Sequence, residues 1–169
     1  MRKKGKKSKT SVDYDTGFSG IVPSTQEAYS EDSFSKEVRK KEKINLAQFK
    51  RKLKSKITLE SEKINTIPTN QEVFVFVFQY FISEKEYHSR DIDNIAKTIL
   101  DTLKGPIYKD DGQVKTLLIG KKIDSRVPKD FAYIAVKLLG KKQDVDALKI
   151  SGIERSVTMF NELKKQGIL

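Results

Sequence analysis

Residues 72–82 read Glu-Val-Phe-Val-Phe-Val-Phe-Gln-Tyr-Phe-Ile, and no other stretch restricts the fold as tightly. β-Branched and aromatic residues alternate along it, which suits a pleated strand. Val73, Val75 and Val77 fall on one face, and Phe74, Phe76, Phe78 and Tyr80 on the other. Because both faces are apolar, the strand is expected at the centre of a sheet, covered on both sides. Packing in the core is the expected role of the aromatics, ahead of stacking on nucleobases. The run Val73 to Phe78 is far too short to cross a bilayer.

Helical patterns flank this strand. From about Ser35 to Ile57, the apolar residues Phe34, Val38, Ile44, Phe49, Leu53 and Ile57 recur at roughly helical spacing. Between them lie Lys36, Arg39, Lys40, Lys41, Lys43, Lys50, Arg51, Lys52, Lys54 and Lys56, offset only by Glu37 and Glu42. The pattern predicts an amphipathic helix with a basic outer face, suited to a nucleic-acid backbone; an ordinary solvated helix is the plain alternative. A second helix is expected over Asp91–Lys104, burying Ile92, Ile95, Ala96, Ile99, Leu100 and Leu103, and ended by Gly105 and Pro106. Further strands are expected near Gln113–Ile123 and Phe131–Leu139, close enough to form a hairpin. A short edge strand is expected within Phe18–Thr25, and a last helix near Ile153–Lys165 carrying Ile153, Val157, Phe160 and Leu163. This mixture predicts an α+β fold, a mixed sheet packed with helices. It divides into a disordered basic arm (1–12), a folded domain (13–140) and a C-terminal helical extension (141–169).

Lys and Arg total 34 against 23 acids, a formal net charge of +11. That balance favours an anionic partner, nucleic acid before a membrane surface. No cysteine is present, so disulfide and thiolate chemistry are excluded and a cytoplasmic location is expected. The single histidine, His88, argues against zinc chemistry and a Ser-His-Asp mechanism. The N-terminus is basic but has no apolar core of a secretory signal.

Within so basic a chain, Asp91, Asp93, Asp110 and Asp111 gather on two neighbouring segments. As helix-start residues Asp91 and Asp93 both suit the positive end of the helix dipole, and Asp91 is a natural N-cap. Capping explains either acid better than the pair. With Asp91 extended and Asp93 in the first turn, both carboxylates face one point, and Lys97 lies one turn further on. Asp110-Asp111-Gly112 reads as a turn that would deliver a carboxylate to the helix start. A divalent cation would hold such acids together, and a phosphodiester would account for the surrounding positive charge. An EF-hand is excluded, because Ala96 and Thr102 stand where glycine and a bidentate glutamate are needed.

Arg90-Asp-Ile-Asp-Asn-Ile-Ala-Lys-Thr-Ile-Leu-Asp101, followed by Gly105-Pro-Ile-Tyr-Lys-Asp-Asp-Gly-Gln-Val114, resembles the paired motif of the RusA family of Holliday-junction resolvases. Gly20-Ile-Val-Pro-Ser-Thr25 is similar to the family's N-terminal segment, without its second proline and its asparagine. The resemblance implies metal-binding acids at Asp91, Asp93 and Asp111, an essential lysine at Lys97, and secondary roles for Asp110 and Asn94. It implies an intertwined homodimer that uses magnesium, with manganese as substitute, to cut four-way DNA junctions by paired symmetric nicks. DNA contacts are expected from Lys40, Lys41, Lys43, Lys50, Arg51, Lys54 and Arg90. The rival expectation is a non-catalytic basic nucleic-acid-binding protein.

Overall fold

A computed structural model of the chain describes residues 12–23 and 36–140, the side chains of 36–43 excepted. Residues 1–11 of the basic arm, Phe34 and the expected helix at 153–165 lie outside the described residues, as do the side chains of Val38, Lys40, Lys41 and Lys43.

The elements run β1 (Tyr14–Ser19), α1 (Lys36–Ser61), β2 (Glu72–Phe81), α2 (Glu84–His88), α3 (Ile92–Leu103), a 3₁₀ turn (Asp111–Gln113), β3 (Val114–Ile123) and β4 (Phe131–Leu139). They form an α+β domain around a four-stranded mixed sheet of order β1-β4-β2-β3. The aromatic–valine strand β2 is central, antiparallel to β4 and parallel to β3. The expected β3–β4 hairpin does not form, because β2 lies between the two strands. β2, apolar on both faces, takes the interior position, while β3 carries Lys115, Lys121 and Lys122 and forms a sheet edge, where charge discourages further pairing. The N-terminal edge strand begins at Tyr14, earlier than expected, and pairs with β4 from Val136 to Phe131.

The helices lie on one face of the sheet. Val73, Val75, Val77, Ile134 and Val136 join Leu53 and Ile57 of α1 and Ile95, Ile99 and Leu103 of α3 in a single core. Lys50 of α1 reaches Asp101 of α3 at 2.5 Å, fixing the two helices side by side. Two residues expected in this core are outside it: Ile44 is 46% and Ile92 40% exposed. Leu46, rather than Ile44, continues the Phe49–Leu53–Ile57 stripe inward. Gly105 leaves α3 at φ +96°, a left-handed conformation that other residues adopt only with strain.

The second face holds Phe74, Phe76, Phe78 and Tyr80 beside Phe131 and Tyr133 of β4. The rings form a ladder, with Phe78–Tyr80 at 4.9 Å and Tyr80–Phe131 at 4.6 Å between centroids. Phe78 lies over Gly120 of β3, where an added Cβ would stand 2.5 Å from the ring. The expected cover on this face is only partial among the described residues: Phe76, Phe78 and Tyr80 are half-buried, and no described helix joins the small cluster of Phe74, Leu139, Phe76 and Leu118.

Candidate nuclease site

The first acidic segment opens α3. Asp91 is the N-cap with extended backbone (φ −83°, ψ 142°), yet its side chain makes no capping bond. Asp93 follows in the first turn, and Asp91, Asp93 and Lys97 are all exposed. Among the described residues no hydrogen bond or ion pair engages these three side chains, so the carboxylates at this helix start are available to a ligand. Asn94 lies on the opposite, inner side of α3 and is 6% exposed. Arg90 is held locally: its guanidinium is 3.7 Å from Glu86 and its side chain is only 16% exposed. Lys121 fixes the approach to the helix by donating to the carbonyls of Tyr87 and Arg90 at 2.8 and 2.7 Å.

The second segment is a rigid turn. Asp110 accepts from the Gly112 amide at 2.9 Å, and Gln113 accepts from the Asp110 amide at 2.9 Å, a reciprocal capping box. The amide group of Gln113 also donates to the carbonyls of Thr69 and Gln71 at 3.0 and 2.8 Å, tying the turn to the chain ahead of β2. This gives the Asp-Asp-x-Gln order a physical reason: Asp110 and Gln113 build the turn, and Asp111 projects from it. Asp111 meets the Lys104 ammonium at 2.8 Å, with Asp110 at 3.7 Å from the same nitrogen. The hydrogen bond to Asp111 raises the pKa of Lys104 above the usual lysine value. Sequence reasoning missed Lys104; it missed the role of Gln113 as well, although an acid three residues ahead of a glutamine is the pattern of a capping box.

One chain does not bring the two segments together. Asp91 precedes α3 and Asp111 contacts Lys104, the residue that ends it, with twelve helical residues between. At 1.5 Å per residue the helix alone spans about 18 Å. The sheet measures the same gap independently. Arg90 is held at Lys121, whereas Asp111 lies ahead of Val114; those seven residues of β3 span about 23 Å, against a lysine reach of roughly 6 Å. The turn therefore delivers Asp111 to the end of α3 and not to its start. Accordingly, no group of three or more His, Cys, Asp or Glu able to hold a metal ion occurs among the described residues.

The basic face of α1 lies next to this region. Arg51, Lys52, Lys54 and Lys56 are exposed, while Lys50 is partly committed to Asp101. Arg51 and Lys54 line a shallow hollow with Ser55, Thr58 and Leu59.

The sequence model of the family described as Endodeoxyribonuclease RusA matches residues 20–136, which contain both acidic segments. The chain belongs to the RusA family. Comparison with curated proteins finds no match. RusA membership implies a nuclease that acts on Holliday junctions, and the matched region spans the sheet from the end of β1 into β4. Residues 1–19 and 137–169 lie outside it. No helix among the described residues is long and apolar enough to cross a membrane.

Proposed function

We propose that the chain is a divalent-metal-dependent endodeoxyribonuclease that resolves four-way junctions by paired symmetric nicks. It acts as a homodimer in which each metal site is shared: Asp91 and Asp93 come from one protomer and Asp111 of the partner subunit completes the set. The observation that carries this reading is the separation of the two acidic segments along α3, with the carboxylates at its start exposed and unengaged. A two-fold dimer crosses these ends reciprocally and forms two equivalent sites, which is what two symmetric cuts require.

The donor set suits magnesium, with manganese as substitute: hard carboxylate oxygens and no histidine or cysteine. The Asp110–Asp111 turn holds a cation in the single chain, the Lys104 ammonium. A bound divalent ion would supply Lewis acidity and an activated water for phosphodiester hydrolysis. Asp91 and Asp93 stand at the positive end of the α3 dipole, where negative side chains are well placed. Lys97, one turn beyond Asp93, stabilises negative charge on the scissile phosphate or its leaving oxygen. Asp110 acts through the turn, by fixing Asp111. Arg51 and Lys54 hold duplex arms through phosphate contacts, reading shape ahead of sequence. The absence of cysteine is consistent with work in the cytoplasm.

The test is cleavage of a synthetic four-way junction with magnesium by the wild type and by Asp93→Asn. The wild type releases nicked duplexes and the variant loses at least 100-fold in rate, the scale on which mechanisms of charge stabilisation act. Equal cutting by the two proteins overturns the proposal. Junction binding indifferent to magnesium, with no cutting by either, assigns the chain to non-catalytic nucleic-acid binding.

A further inference from the structure

The aromatic face of the sheet is closed at one end and open at the other. Phe74 is 1% and Leu139 5% exposed, whereas Phe76, Phe78, Tyr80, Phe131 and Tyr133 are only half-buried. All the described helices pack on the opposite face. The closed end is where the chain leaves β4 at Leu139 and Gly140. No described helix covers the rings there, which leaves their cover to be sought in the rest of the chain.

Three stretches of the chain are candidates. Residues 1–11 enter at the same end, since Asp13 pairs with Val136 and Leu138. Their only large apolar side chain is Met1, so they hold no apolar stripe to bury against the rings. Residues 24–35 leave from the far end, where Val22 and Gly20 are bound to Gln79, and must return to α1 on the other face. Residues 141–169 leave at the closed end and carry Ile153, Val157 and Phe160 at helical spacing, with Leu163 adjacent to that stripe. Arg155 and Glu162 would face away from the stripe and remain hydrated. The family match ends at residue 136, so this extension lies outside it.

We infer that residues 153–163 form an amphipathic helix that docks on the aromatic face of the same chain, with Val157 and Phe160 against Phe76, Phe78 and Tyr133. The dimensions permit it. The linker 141–152 reaches up to about 40 Å when extended, longer than the roughly 30 Å of β4. An eleven-residue helix spans about 16 Å, close to the width of four strands. Docking converts an open face into a second core and makes the domain three-layered. It also withdraws the rings from bases and from other copies of the chain. The inference stands apart from the nuclease reading, because none of these residues belongs to the acidic segments or to α1.

The cysteine-free chain allows a direct test in the full-length protein. A nitroxide on Glu162→Cys, pointing away from the sheet, is combined with isotope-labelled phenylalanine and tyrosine rings. Ring signals of Phe76, Phe78 and Tyr133 broaden when label and isotope share one chain. They stay sharp when a nitroxide-bearing, isotope-free chain is mixed with an isotope-labelled, nitroxide-free one. Adding Phe160→Asp to the spin-labelled chain removes the broadening. Sharp signals in the single-chain sample overturn the inference. Broadening confined to the mixed sample also overturns it and assigns the face to a second copy. Ring shifts on adding single-stranded oligonucleotide, without broadening, overturn it in favour of base stacking.

Discussion

Gln79 is the one polar side chain in β2 that points into the helix-side core, and it is fully buried. Its amide nitrogen donates to the carbonyls of Gly20 and Phe131 at 3.0 Å each and to Tyr80 at 3.2 Å. Its oxygen accepts from the Val22 amide at 3.2 Å. Gln79 thereby anchors the segment after β1 to the end of the sheet from which the chain proceeds to Asp91. Gln79→Leu removes the three bonds to other segments, each worth about 1 kcal/mol net, and strands a buried amide at roughly 1–3 kcal/mol. Leucine's apolar burial returns about 1 kcal/mol. The expected loss is about 3–5 kcal/mol, a large share of the stability of a domain this size. Urea denaturation should show a lower midpoint with an unchanged slope. Gln79→Glu provides a pH signature. It keeps an acceptor for Val22 but turns a second oxygen toward three carbonyls, so its carboxyl pKa must rise above the unfolded value of about 4.3. That variant is closest to wild type in acid and loses stability as pH rises through that value. A loss under about 1 kcal/mol for Gln79→Leu, or no pH dependence for Gln79→Glu, refutes the reasoning.

Two further outcomes follow from the charges. Asp124 is held by Arg126 at 2.6 Å and Lys122 at 3.4 Å, and the Arg126 hydrogen bond keeps its pKa well below the usual 3.8. Its stabilising contribution is present above the unfolded value and is lost as pH falls below it. Asp124→Asn is therefore less stable than wild type at pH 6, and urea melts should show the gap narrowing steadily below pH 4. Arg51→Ala with Lys54→Ala should reduce the slope of log affinity for junction DNA against log salt by about 1 to 2, whereas Lys50→Ala, already paired with Asp101, changes it less.

Strands β2 and β4 were legible almost to the residue, because alternation and apolar composition agree there with burial. α3 was legible for a similar reason, with Gly105 at positive φ ending it as the sequence suggested. Strand partnership was not: the proximity of β3 and β4 in sequence suggested a hairpin, but pairing is decided by which strand is apolar enough for the interior. Ile44 and Ile92 match helical spacing and still face solvent, since the sheet covers only part of each helix surface. The two acidic segments were visible as residue types and order, but the expectation that they meet within one chain was not met. A turn after α3 was expected to return Asp111 to the helix start. The predicted helix was itself long enough to forbid that, because its rise carries the chain about 18 Å away.

Mixing two inactive proteins tests the shared site most directly. Asp93→Asn and Asp111→Asn should each be inactive alone; co-refolded in equal amounts, half of the proposed dimers would carry one of each. If the acids meet across the dimer, such a heterodimer holds one doubly altered site and one intact site. The mixture should then nick one strand of a four-way junction in the presence of magnesium, without the paired cut. If the mixture remains as inactive as either variant although heterodimers are present, the acids do not meet across two copies and the account of the site is wrong.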